Sequence, residues 1–251
     1  MSELSEEQRQ FIDATALWLK AHVQDKDGEI ELRFGSMSNN DSFISGVNVH
    51  GWQRVRTLLC NMTPDACACP PQSLLEIVSV YDNGKYRHIE HADGTMTRQQ
   101  KTAVAQRNLV FREPISKQLV ACRLSHSTET SLPPKTSTSA PTLARIRART
   151  SFWHRMWRID VSMVQQGPNK EAAANAPTLY EIEVELEQNR IDWSRHDFHY
   201  LALSLLLKIQ EISAALVGAV DDGSNSRQLP TLVAQADVQR GANFSSPIVK
   251  Q

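Results

Sequence analysis

No long apolar run, no paired cysteine spacing and almost no net charge are found in this chain, and each of these closes off a class of protein. The most apolar late stretch, "LALSLLL" (Leu201 to Leu207), is followed at once by Lys208, Gln210 and Glu211, too short a run to cross a bilayer, so no membrane role is expected. The opening "MSELSEEQRQ" is acidic and without the apolar centre of a secretory signal, which predicts a soluble, intracellular protein. Cys60, Cys67, Cys69 and Cys122 do not have the spacing of a zinc site, and an intracellular chain keeps them reduced. A formal charge of −1 exerts no global pull on polyanions, so any basic site has to be local.

What is present is short β-like segments between two helical ones. Ser5 followed by Glu6, Glu7 and Gln8 reads as a helix N-cap, and Phe11, Ile12, Thr15, Leu17, Trp18 and Leu19 predict a helix over residues 5–23. Strands are predicted at "EIELRF", "SLLEIVSVY", "KYRHIEH", "TMTRQQKTAVAQRNLVF", "KQLVACRLSHS", "LARIRARTSF", "WRIDVSMV" and "TLYEIEVELEQ". The Ser/Thr/Pro-rich segment Ser127 to Pro141 reads as a loop or mobile insertion, and Gly167 to Pro177 as a flexible connection. Phe198, Leu201, Leu205, Ile209, Ile212 and Leu216 fit a helix over about 198–220. The expectation is one domain over 1–220, with its strands within about 29–187, and a loosely packed or disordered tail over 221–251.

The charges share a parity. Glu29 and Glu31 lie on one face of their strand, Arg145, Arg147 and Arg149 on one face of theirs, and Glu181, Glu183, Glu185 and Glu187 on one face of a third. Carboxylates two residues apart on a strand stand roughly 7 Å from each other and repel unless cations lie nearby. A sheet curled with these faces inward becomes a wet tunnel whose acidic part suits a hard divalent ion and whose basic part suits a chain of phosphates. Two commoner readings stay open from the residues alone: plain solvated faces, and cross-strand Glu–Arg pairs on a sheet exterior.

"EIELRFG" (Glu29 to Gly35), "RIRARTSF" with "WRIDVS", and "YEIEVELE" (Tyr180 to Glu187) resemble the signature strands of the triphosphate tunnel metalloenzymes, and more narrowly the metal-dependent RNA 5′-triphosphatases of mRNA capping. The resemblance implies a mainly β fold: a closed antiparallel eight-stranded barrel with a charged lumen, braced by the N- and C-terminal helices. It implies Glu29, Glu31 and Glu185 as ligands of Mg²⁺ or Mn²⁺, Glu183 beside the attacking water, and Glu181 fixing arginine side chains. It places Arg145, Arg147 and Arg149 on phosphate and gives Asp160, with Ser162 less firmly, a functional role. Arg87, Lys101 and Arg123 match tunnel-wall cations, and Glu129 a further acidic tunnel residue on a strand that could end before reaching it. His88, His91 and His126 read as supporting or surface histidines.

The implied reaction is hydrolysis of the γ-phosphate at the 5′-triphosphate end of nascent RNA, with free nucleotide as a further substrate. No cysteine has an arginine six positions later and no G-x-x-x-x-G-K-[ST] loop occurs, which excludes thiolate and P-loop chemistry. Alternatives are inorganic tripolyphosphatase, adenylate cyclase or thiamine-triphosphatase activity on the same fold, and a non-catalytic phosphate- or RNA-binding tunnel. Arg33 and Gly35, where those compact relatives carry an E-x-E-x-K opening, favour the RNA branch. A separate guanylyltransferase is the expected partner. The expected location is the nucleus, with a viral cytoplasmic setting as the other possibility.

Overall fold

Strands that alternate charge with apolar side chains have two incompatible faces, and this fold separates them by rolling the sheet shut. The computed structural model describes residues 4–23, 27–62, 70–81, 84–133 and 140–218, with the strand backbone of 231–237. In chain order these form α1 (Glu6–His22), β1 (Gly28–Met37), β2 (Phe43–Ser45), α2 (Val49–Cys60), β3 (Gln72–Tyr81), β4 (Tyr86–His91), β5 (Met96–Arg112) and β6 (Leu119–Leu132). There follow β7 (Leu143–His154), β8 (Trp157–Gly167), α3 (Lys170–Ala174), β9 (Leu179–Leu186), a 3₁₀ turn (Gln188–Arg190), α4 (Phe198–Val217) and β10 (Thr231–Asp237). All pairings are antiparallel, in the order β5-β4-β3-β7-β8-β9-β1, and β6 closes the ring by pairing with both β1 and β5. Of the ten strands in the sheet, β2 and β10 lie outside the ring as extensions of β1 and β5, which leaves an eight-stranded barrel.

The apolar core lies outside this barrel. Ile30, Leu32 and Phe34 of β1, Leu124 of β6, Trp157, Ile159 and Val161 of β8, and Ile182 and Val184 of β9 point away from the lumen. Against them pack Phe11, Ile12, Trp18 and Leu19 of α1, Trp52 and Val55 of α2, and Leu201, Leu205, Ile209 and Ile212 of α4. Each fully buried aliphatic side chain contributes about 1.5–3 kcal/mol, so most of the fold's apolar stabilisation sits in this helix-covered wall. At 20 residues and with its apolar composition, α4 is long enough to cross a membrane, but the barrel wall covers its Leu201, Leu205, Ile209 and Ile212. Asp197 caps its N-terminus through the Tyr200 amide (2.8 Å), and Gly218 ends it in the left-handed region that a glycine adopts without strain.

Gly35 answers to close approach. A side chain there would meet the Ile44 carbonyl and the Phe43 ring (2.7 Å), because β2 folds directly across it. Both terminal helices form as the sequence predicts, α1 with a complete Ser5–Gln8 capping box; the predicted extension of the last helix to residue 220 reaches beyond the described residues.

Four expectations change. Strand β6 runs on through Leu132, so the front of the predicted 127–141 loop is sheet: serine and threonine pair well with the hydrogen-bonded neighbours β1 and β5. Residues 134–139 and the Cys67/Cys69 pair lie outside the described residues. The 167–177 connection contains α3, capped by Asn169 and tucked against β8 through the buried Ala173. The tail is not wholly loose, since 231–237 adds β10 to the outer half of β5. Finally α2, with its N-cap Asn48, and the short β2 were not foreseen, because the local pattern from Ser36 to Asn61 mixes polar and apolar residues without a clear period.

Candidate active site

Period-two alternation decides which side chains enter the lumen, and the register decides which of them meet. On β1, Glu29, Glu31 and Arg33 face inward; antiparallel pairing sets Glu31 opposite Glu185, Arg33 opposite Glu183, and Glu29 opposite Ser127. On the far side Glu76 stands opposite Arg147, Arg149 opposite Ser162, and Asp160 opposite Glu183. Lys101 and Glu129 pair across β5 and β6, so Glu129 belongs to the tunnel wall.

Every candidate site residue therefore points into one bore, and the ions there are paired. Glu29 accepts from Ser127 Oγ (3.2 Å) and is bonded by Lys101, whose Nζ also lies 3.0 Å from Glu129. Arg87 stands 3.7 Å from Glu129. Arg33 bridges Glu31 (2.8 Å) and Glu183. Arg145 grips both oxygens of Glu181 (2.8 and 2.7 Å). Arg147 donates to Glu76 through Nε (3.0 Å) and NH2 (2.5 Å), while Arg149 donates to Asp160 (3.2 Å) and lies 3.7 Å from Glu76. Arg123 hydrogen-bonds Asn108 (3.0 Å) with its guanidinium over the Phe43 ring at 4.6 Å.

Three contributors escaped the sequence reading. Arg158 donates to Asp160 (3.2 Å), Glu187 (2.7 Å) and Glu185; Glu76, 3% exposed, anchors Arg147 with His91 3.7 Å away; and Arg33 joins the two glutamate strands. The signal was present in each case: Arg33 continues the row of Glu29 and Glu31, Arg158 precedes Asp160 by two, and Glu76 is the one acidic residue of "SLLEIVSVY". Of the three histidines noted above, His88 stacks on Tyr81 on the outer face and His126 contacts His22 outside the barrel, Nδ1 to Nδ1 at 3.1 Å.

The electrostatics of this bore leave it short of positive charge at one place. Burial opposes ionisation of Glu29, but Lys101 overrides it and holds the carboxyl at about 2. Burial likewise opposes ionisation of Glu183, and Arg33, Arg147 and Arg145 together hold it at about 2. The two glutamates that face each other behave in the opposite way. Burial, reinforced by Glu183 and opposed by Arg33, pushes Glu31 up to about 7. Burial, reinforced by Glu29 and Asp160 and opposed by Arg158, pushes Glu185 up to about 9.

A carboxylate wall that retains protons near neutrality, with oxygen donors alone, fits a hard divalent cation. Register brings Glu31 opposite Glu185 with Glu29 two residues along the same face, although among the described residues no three acidic, cysteine or histidine side chains stand gathered around one point. Buried polar atoms without hydrogen-bond partners collect in the same bore: Nε of Arg33, Arg145 and Arg149, Asp160 Oδ1 and Ser162 Oγ. Such atoms are costly to bury unless a polar ligand completes them.

A closed antiparallel barrel with acidic and basic rows facing one another across a wet bore is a triphosphate tunnel fold. Residues 91–197 match the family model described as mRNA capping enzyme, beta chain. The fold agrees with the RNA triphosphatase Pct1 of S. pombe (TM-score 0.60, 15% identity, covering 86% of this chain and 94% of that one). It agrees also with the RNA triphosphatase domain of a trifunctional mimivirus mRNA capping enzyme (TM-score 0.54, 15% identity, covering 86% and 99%). Sequence comparison with curated proteins gives no match.

Proposed function

We propose that the protein is an RNA 5′-triphosphatase of mRNA capping, removing the γ-phosphate from 5′-triphosphate RNA to leave a 5′-diphosphate end and inorganic phosphate. The observation that carries this reading is the convergence, inside one bore, of the Glu29/Glu31 and Glu183/Glu185 pairs with Arg145, Arg147 and Arg149. The family match of residues 91–197 supports it.

Glu29, Glu31 and Glu185 are the residues to hold Mg²⁺ or Mn²⁺, which when bound neutralises phosphate charge as the P–O bond loosens. Arg147 and Arg149 now rest on Glu76 and Asp160, so a phosphate oxygen takes over one of their donors while the carboxylates keep the guanidinium planes oriented. Lys101, Arg87 and Arg123 extend the cationic wall along the phosphate chain. Glu183, kept ionised by Arg33, Arg147 and Arg145, orients the attacking water. A tunnel that merely docked phosphate would bind it better without four glutamates on the wall, which disfavours a non-catalytic role. The diphosphate product suits a separate guanylyltransferase, and a co-transcriptional role would place the protein in the nucleus, or with a virus in the cytoplasm.

The test is phosphate release from γ-labelled triphosphate RNA with and without Mg²⁺ or Mn²⁺. Glu31→Ala and Glu185→Ala are each expected to lower kcat by about 100-fold or more, the scale of losing transition-state charge stabilisation. Turnover surviving both substitutions would remove the hydrolytic reading.

A further inference from the structure

The tunnel accounts for a triphosphate but for nothing attached to it. At the end of the barrel where β1 begins and β7 turns into β8, the rim carries Trp153 opposite Arg158, and the exposed Arg190 lies over the Trp153 ring at 5.7 Å. Arg190 also lines a groove of about 580 Å³, together with Arg155, Met156, His196 and Tyr200. It is tied to the strand of the glutamates, since the Glu187 amide bonds the Met156 carbonyl (2.8 Å) and the Arg190 amide bonds the Glu187 carbonyl (2.9 Å).

The groove has the parts that single-stranded RNA recognition uses, flat aromatic faces beside guanidinium groups. His196 and Tyr200 stack with 4.2 Å between ring centres and 20° between planes. Arg155, exposed at the hairpin tip, donates to the Tyr200 hydroxyl (2.7 Å) from a backbone in the left-handed region (φ 58°). Asp192 holds Ser194 and Arg195, and Asp197 caps α4. At the opposite end of the barrel, β2 brings the Phe43 ring over Arg123, and Val47 bridges to Tyr180 along the edge of β9.

Building on the triphosphatase reading, we infer that this groove is the binding site for the first nucleoside of the RNA, its base on the His196–Tyr200 face and the following phosphodiester at Arg155 and Arg190. The site would give the tunnel a preference for triphosphate on RNA over inorganic tripolyphosphate, which fills the bore equally well and has nothing to lay in the groove.

The experiment compares a 5′-triphosphate RNA pentamer with inorganic tripolyphosphate as substrates for the wild type, Tyr200→Ala, Arg190→Ala and Tyr200→Phe. Loss of one base-stacking contact predicts a KM for the pentamer raised about tenfold in Tyr200→Ala, and loss of one phosphate contact a rise of similar size in Arg190→Ala. Tripolyphosphate kinetics should stay at the wild-type level in both, and Tyr200→Phe, which keeps the ring, should stay near wild type on both substrates. Equal losses on the two substrates, or an unchanged KM for the pentamer, would overturn the inference. If the wild type turns over neither substrate, the triphosphatase reading fails on its own. Anisotropy of a 3′-labelled pentamer then decides the groove separately: weaker binding in Tyr200→Ala, with tripolyphosphate competition unchanged, upholds it, and unaltered binding rejects it.

Discussion

Glu31 and Glu185 face each other across β1 and β9 and keep their protons to about 7 and about 9, where a free glutamate loses its own near 4.5. Between those limits the folded protein binds more protons than the unfolded chain, so its stability falls as pH rises through the window from about 5 to 9. Glu29 and Glu183, held at about 2, act in the other direction and only in strong acid, where their stabilising contribution is lost as pH falls. In EDTA, the melting temperature is therefore expected to drop by about 5 °C or more between pH 5.5 and pH 8.5. Added Mn²⁺ or Mg²⁺ should restore it, more at the higher pH, because a cation that binds carboxylate must displace those protons. Differential scanning fluorimetry reads both effects, and a melting temperature that rises with pH in EDTA would contradict the arrangement. At this scale the sequence showed the rows plainly but not their protonation, which depends on burial and on cations from other strands.

Among the elements, β1 and α4 do the most to position the site. β1 carries the two glutamates and Arg33 on its inner face and Ile30, Leu32 and Phe34 on its outer one, so a slip of a single residue would exchange the site for the core. Its end is held by the fit of β2 over Gly35, where Gly35→Ala should destabilise the fold by about 2 kcal/mol, the scale of an overpacked core position. Leu205→Ala in α4, fully buried against the barrel wall, should cost about 3 kcal/mol, and Asp197→Ala at its N-cap about 1 kcal/mol. Urea unfolding followed by circular dichroism measures all three, and the order of the last two separates core packing from capping as the source of α4's stability. The strands were legible because period two is strong in them. The insertion at 127–132 was misjudged because serine and threonine are as common in polar loops as in a strand lining a wet bore.

For the molecule as a whole, a polar lumen inverts the usual arrangement, leaving the apolar core between the barrel's outer wall and three helices. Neither layer can bury its apolar face alone, so helices and barrel should unfold together. Tryptophan fluorescence samples both layers, through Trp18 and Trp52 in helices and Trp157 in the barrel, and far-ultraviolet circular dichroism reports the backbone. The two signals are expected to give coincident denaturation curves; separated midpoints would show that the barrel stands without its helices.

By itself the sequence determined the alternation: which residues of each strand share a face, hence the acidic and basic rows, the two terminal helices and the kind of ligand such rows suit. Only the closed tertiary structure decided that those rows confront each other, that Arg33, Glu76 and Arg158 complete them, and that Glu31 and Glu185 hold protons. The reason is physical. A side chain's face is set by its own strand's period, whereas its partner and its charge are set by the register and burial that strands distant in the chain impose on it.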